Sequence, residues 1–130
     1  AEDLPPSEDI VVPIAAIPQM VEGLQHIAKK YDISMPCYGH AGDGNLHATP
    51  IMNSAWNQEQ WKIMIPRILT DMYKLTCDLG GTLSGEHGIG HKRKEYMSLA
   101  MAEAGLDMMK AIKMALDPNG ILNPGKIFDV

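Results

Sequence analysis

The sequence predicts an α+β fold in which helices pack on one face of an antiparallel sheet, and three observations carry that prediction. A β-branched apolar run at residues 10–13 reads as a buried strand. Two segments, beginning near Ile17 and near Trp61, repeat apolar residues at three- and four-residue spacing, the period of an amphipathic helix. Between them GHAGDGNLH, from Gly39 to His47, reads as a tight turn flanked by two short strands.

The elements follow in chain order. After the first strand comes a helix whose stripe is Ile17, Met20, Val21, Leu24, Ile27 and Ala28, with Pro18 tolerated in its first turn and an end near Lys30. Residues 35–52 supply the two strands around the turn. Ser54 or Asn57 then caps a second helix, since either side chain accepts a hydrogen bond from first-turn backbone. Trp61, Met64, Ile65, Ile68, Leu69, Met72 and Leu75 line its inner face, Pro66 is expected to kink it, and Gly80-Gly81 stops it. The next segment, GTLSGEHGIGHKRK, holds too many glycines for a helix or an inner strand and is expected to be a loop held against other parts of the structure. A last helix is placed over residues 106–116, and DPNGILNPGK after it is a succession of turn signals.

Composition narrows the function classes. With 130 residues the chain suits one domain with one real core. A formal net charge of -5 argues against non-specific nucleic-acid binding, which needs clustered Lys and Arg; the one basic run, HKRK, is short. Lys92, Arg93 and Lys94 within it read first as a solvated face, with attraction of an acidic substrate as the alternative. No apolar run approaches the roughly 18 residues of a membrane span. Cys37 and Cys77 form no CxxC, so the expectation is two reduced thiols in a cytoplasmic protein, with a disulfide between them left open. Ten methionines against one phenylalanine point to a core filled by thioethers. The start, AEDLPPSED, has neither a methionine nor the basic and apolar regions of a signal peptide, and the chain reads as a piece of a longer protein.

The chemistry concentrates in the two glycine-rich segments. Asp43-Gly44 is a preferred pair for a two-residue type I′ hairpin. That turn places His40 opposite His47 on one face, with Cβ atoms about 4.5–5.5 Å apart, where two imidazoles can converge on one metal. The competing reading is two polar residues flanking a turn. Glu86 of GEHG supplies a third ligand on a loop whose glycines permit close approach. Two His and a carboxylate with open positions suit a catalytic Zn, Mn or Fe(II). His87, pointing away from Glu86, is better placed as a general base beside a bound substrate. Asp43 is read as an Asx residue stabilising the turn in preference to an orienting partner of a ligand histidine. His26 and His91 are expected to be exposed and without a role.

GHAGDGNLH, GGTLSGEHGIG and LDPNGILNPGKIF, in this order, resemble the C-terminal domain of FAD-linked oxidases, the group of glycolate oxidase FAD subunits, D-lactate dehydrogenases and D-2-hydroxyglutarate dehydrogenases. The likeness runs from about Asp9 to Phe128. It implies that residues 1–130 are the C-terminal part of a substrate domain, a partial ferredoxin-like cap plus C-terminal helix, with the FAD-binding domain outside the chain. It also implies oxidation of a D-2-hydroxy acid to the 2-oxo acid. In the family the outer histidines of H-x-G-D-G-N-x-H and the glutamate of G-E-H-G bind a divalent metal, matching His40, His47 and Glu86 here. The family's catalytic base matches His87, and the tail holding Asn123 and Lys126 turns towards the flavin. Thr49 stands where the 2-hydroxyglutarate enzymes carry asparagine, and Ser7 where they carry lysine; glycolate or lactate is therefore the expected acid.

Two functions follow as expectations. The first is the metal- and substrate-binding part of an FAD-dependent oxidoreductase, inactive alone, whose partners are a small D-2-hydroxy acid and the missing FAD domain or partner subunits. A membrane association through such subunits and a homo-oligomer formed on the exposed apolar face belong to the same expectation. The second is a non-catalytic metal- or partner-binding domain that keeps the motifs for structure.

Overall fold

The structure, a computed structural model, describes residues 7–129 and divides into two compact units, one ending at Glu86 and one beginning at His87. The first unit is α+β. Its elements are β1 (Glu8–Val11), α1 (Ile17–Lys30), β2 (Cys37–His40), β3 (Asn45–Ala48) and α2 (Gln58–Asp78). All pairings are antiparallel, in the order β1-β3-β2. Thr82 forms a single antiparallel bridge with Val11 on the other edge of β1. This is the β-α-β-β-α part of a ferredoxin-like unit, with the last strand reduced to that one bridge.

Pairing assigns the faces, because residues opposite one another in an antiparallel ladder point the same way. Ile10 pairs with Leu46 and Glu8 with Ala48, and this face is buried against the helices. The helices contribute Met20, Leu24 and Ile27 from α1 and Ile68, Met72, Tyr73 and Thr76 from α2. The polar members of that core are paired: Tyr73 donates its hydroxyl to the buried Glu8 carboxylate, and Thr76 Oγ1 donates to Met72 O at 2.8 Å. Gly23 allows α1 to approach α2 closely, since a Cβ there would meet Leu75 Cδ2 at 2.4 Å.

The helices start and stop where their chemistry dictates. Asn57 caps α2 in a reciprocal box with Gln60, each side chain accepting from the other's backbone at 2.9 Å. The helix runs on through Pro66 and ends ahead of Gly80, which has a φ of 79°. Pro18 sits in the first turn of α1, where its missing N–H is not needed.

The hairpin differs from expectation. The observed partners are His40 with Asn45 and Tyr38 with His47, so residues 41–44 form the loop and the ladder is shifted by two residues. A type I′ turn needs positive φ at both central positions, and only Gly44 has it, at 79°. Asp43 instead accepts from Asn45 N at 3.1 Å through Oδ1 and donates its own N–H to His40 O at 3.1 Å. The Asx reading of Asp43 therefore describes the turn. Gly44 also passes β1: its carbonyl accepts from Val12 N at 3.1 Å, and a Cβ on it would lie 2.0 Å from Val12 O.

The second unit contains α3 (Met97–Ala100) and α4 (Glu103–Leu116). The four-residue α3 has no counterpart in the sequence reading, being too short to show a period. Helix α4 begins three residues before the expected start. Its end is fixed by Asp117, whose carboxylate accepts from Ile121 N at 3.1 Å, from Leu122 N at 2.9 Å and from Lys113 Nζ at 2.5 Å. Arg93 is a correction: it is 4% exposed and donates to Gly88 O at 3.0 Å, so it belongs to packing and not to a solvated basic face. Lys94 pairs with Asp129 at 2.8 Å, and Lys92 is exposed.

Candidate metal centre on the polar face of the sheet

The face of the sheet away from the helices carries Tyr38, His40, Asn45 and His47 of the hairpin and Asp9 of β1. Asp9, His47 and Tyr38 form one row across it, and Val11, Asn45 and His40 the next. A shift of the ladder by two residues preserves every side chain's face, so His40 and His47 still share this surface. They are diagonal neighbours, with ring centroids 5.9 Å apart and planes at 85°. The ring opposite His47 is Tyr38, at 5.2 Å.

The loop that carries Glu86 reaches this face through β1. Thr82 N donates to Val11 O at 2.9 Å, and further along Gly85 N reaches Asp9 O at 3.3 Å, holding the segment along the strand edge. Asp9 fastens the segment. Its carboxylate accepts from Asn45 Nδ2 at 2.6 Å, Ser84 Oγ at 2.7 Å, Glu86 N at 3.0 Å and Gly85 N at 3.1 Å. Gly85 is required there, since a Cβ would stand 2.2 Å from Asn45 Nδ2.

With the loop so held, Glu86 Oε1 lies 3.2 Å from His47 Nε2, the imidazole buried and the carboxylate half exposed. Asp9, His47 and Glu86 each bring one donor atom within 4.8 Å of the others. Two donors each 2.0–2.1 Å from a tetrahedral zinc stand about 3.3 Å apart, so the His47–Glu86 spacing fits ligands of one ion. Imidazole nitrogen with carboxylate oxygen suits zinc, manganese or iron(II).

The sequence matches the family described as FAD linked oxidases, C-terminal domain, over residues 2–127. The chain belongs to this family. Its relatives include the glycolate oxidase subunit GlcD of Bacillus subtilis (strain 168), 42% identical over 121 residues covering 93% of this chain and 25% of that protein. A D-lactate dehydrogenase of Anaerostipes hadrus is 34% identical over 119 residues, 92% of this chain and 25% of the relative. A D-2-hydroxyglutarate dehydrogenase of Stutzerimonas stutzeri (strain A1501) is 31% identical over 126 residues, 95% and 27% respectively. The chain thus spans about a quarter of the length of the curated relatives it matches.

Within this FAD-linked oxidase domain the structure brings together His47 and Glu86 of the residues singled out from sequence. His40 is exposed on the same face, one residue pair along. His87 opens the second unit, directly after Glu86 in the chain. Asn123 and Lys126 lie on the loop after α4, Asn123 exposed and with a φ of 49°. Among the described residues no helix is long and apolar enough to cross a membrane. Cys37 and Cys77 are free thiols, each held above the usual thiol range by burial.

Sequence reasoning missed Asp9. The signal was an acid one position before an apolar, β-branched run, which in a strand of period two must share a face with Val11 and not with Ile10. Asn45 was quoted in the motif but given no role, although its side chain bridges β3 to Asp9.

Proposed function

We propose that this chain is the metal- and substrate-binding part of an FAD-dependent oxidoreductase that converts a D-2-hydroxy acid to the 2-oxo acid. The observation that carries the reading is the 3.2 Å spacing of His47 Nε2 and Glu86 Oε1 above a sheet face built around a buried acid. The three relatives described above are named as a glycolate oxidase subunit, a D-lactate dehydrogenase and a D-2-hydroxyglutarate dehydrogenase, which supports the substrate class.

In this reading His47, Glu86 and His40 would hold a divalent zinc, manganese or iron. Bound there, such a cation would supply the Lewis acid for the carboxylate and hydroxyl of the acid. His87 takes the hydroxyl proton, so that the substrate carbon can release hydride. FAD, held mainly by protein outside this chain, would supply the hydride acceptor, and Asn123 and Lys126 would contribute to holding it from the C-terminal loop. Thr49 and Ser7, short side chains where the 2-hydroxyglutarate enzymes carry asparagine and lysine, favour glycolate or D-lactate. The greater identity to the glycolate oxidase subunit agrees with that preference. The acid, the FAD domain and partner subunits are the partners this requires; a cytoplasmic location suits the two free thiols.

The test is a chimera in which this chain replaces the matching segment of the Bacillus subtilis subunit. The chimera is expected to bind FAD, to oxidise glycolate or D-lactate with an artificial electron acceptor, and to lose turnover but not flavin on His87→Ala. A chimera that binds FAD and oxidises none of the three acids contradicts the reading.

A further inference from the structure

We propose that Asp9 is a positioning residue, fixing Glu86 at the height above the sheet that the metal site needs and thereby setting the affinity of that site for a divalent cation. This rests on the metal reading given above.

Asp9 is fully buried within β1, an unusual place for a carboxylate unless its oxygens are occupied. They are. Oδ1 accepts from Asn45 Nδ2 at 2.6 Å, and Oδ2 accepts from Ser84 Oγ at 2.7 Å, Glu86 N at 3.0 Å and Gly85 N at 3.1 Å. An ionised carboxylate offers about four lone-pair directions, two on each oxygen, and three of these four donors converge on Oδ2, the oxygen turned to the loop. Although Asp9 lies within 4.8 Å of the His47 and Glu86 donors, it faces the loop and β3 as an acceptor, and its part is to orient rather than to ligate.

What it orients is the main chain at Glu86. Residues 83–86 belong to no helix or strand, and the Glu86 side chain is half exposed, so the carboxylate's position depends on where its backbone is tied. The Asp9 bond to Glu86 N ties it directly, and the bonds to Ser84 and Gly85 fix the two residues before it. The amide of asparagine has one accepting oxygen where aspartate has two. In Asp9→Asn the side chain would keep either the Asn45 bond or the loop bonds, and its own NH2 would face N–H donors.

Cobalt(II) is the probe, titrated into the 130-residue chain and followed by its visible absorption, with Asp9→Asn and Ser84→Ala beside the wild type. The wild type is expected to bind cobalt stoichiometrically. Asp9→Asn is expected to give the same band positions with affinity lowered about 10- to 100-fold. Ser84→Ala, which removes one donor and leaves the carboxylate, is expected to show a smaller loss. Faster amide exchange at Gly85 and Glu86 is expected in both variants. Unchanged affinity in Asp9→Asn overturns the proposal, as does a change of band pattern, which would make Asp9 a ligand. If Asp9→Asn does not fold, unchanged affinity and exchange in Ser84→Ala overturn it instead. A wild type that binds no cobalt defeats the metal reading itself, an outcome distinct from intact binding that ignores Asp9.

Discussion

Gly85 shows how closely the site is built at the scale of one residue. A methyl group there would stand 2.2 Å from Asn45 Nδ2, and that nitrogen cannot retreat without leaving the Asp9 carboxylate 2.6 Å away. Gly85→Ala is therefore expected to cost about 1–3 kcal/mol of stability by urea unfolding, the usual range for overpacking a filled site. A variant as stable as the wild type would mean that the loop lifts from β1 freely. Single residues were unevenly legible in the sequence. His47 and Glu86 announced themselves by type and by the glycines around them. Asp9 did not, because its donors come from positions up to 77 residues away and no local pattern encodes such a pairing.

At the scale of elements, the second helix offers a direct check on why it begins where it does. Asn57→Ala removes the cap and half of the reciprocal box with Gln60, and is expected to lower stability by about 1 kcal/mol; Ser54→Ala should leave it unchanged. The two long helices of the first unit are also joined by Asp71, which accepts from Lys30 Nζ at 2.7 Å and Tyr31 Oη at 2.8 Å. Burial alone would raise this carboxyl, but the hydrogen bonds from Lys30 and Tyr31 outweigh it and hold Asp71 below its ordinary value. A carboxyl depressed in the folded state stabilises above its unfolded pKa of about 3.9, and that contribution fades as pH falls through the folded value. Asp71→Asn should thus unfold at lower urea than the wild type at pH 7, with the gap closing as the pH drops below about 4. A gap independent of pH would assign the effect to packing. Helices of this length were readable from their period, and α1, placed to end near Lys30, ends there. The hairpin was readable only in outline: DG fits a two-residue turn, but β1 draws Gly44 onto Val12 and moves the ladder by two. That contact between distant segments is invisible in the turn's own sequence.

At the scale of the whole molecule, the two units differ in where they place their apolar residues. The first encloses Ile10, Met20, Leu24, Ile68 and Met72. In the second, α4 has no buried residue, and Met108, Ile112 and Leu116 are exposed at 66%, 56% and 79%. The fold class and the order of strands and helices were legible because the long helices show their period and the strands are marked by a β-branched run and a glycine-rich turn; the four-residue α3 carries neither mark. The family was legible from three motifs, since each combines glycines that a backbone path demands with side chains that a turn does not. The central claim is that the polar sheet face and the Glu86 loop hold a divalent cation. Metal analysis of the chain, purified without chelator and equilibrated in turn with zinc, manganese and iron(II), tests it most directly alongside His47→Ala and Glu86→Gln. Stoichiometric metal in the wild type, lost in both variants while far-ultraviolet circular dichroism is unchanged, is the predicted result. A wild-type chain that retains none of the three metals, or variants that retain as much as it does, would contradict the account.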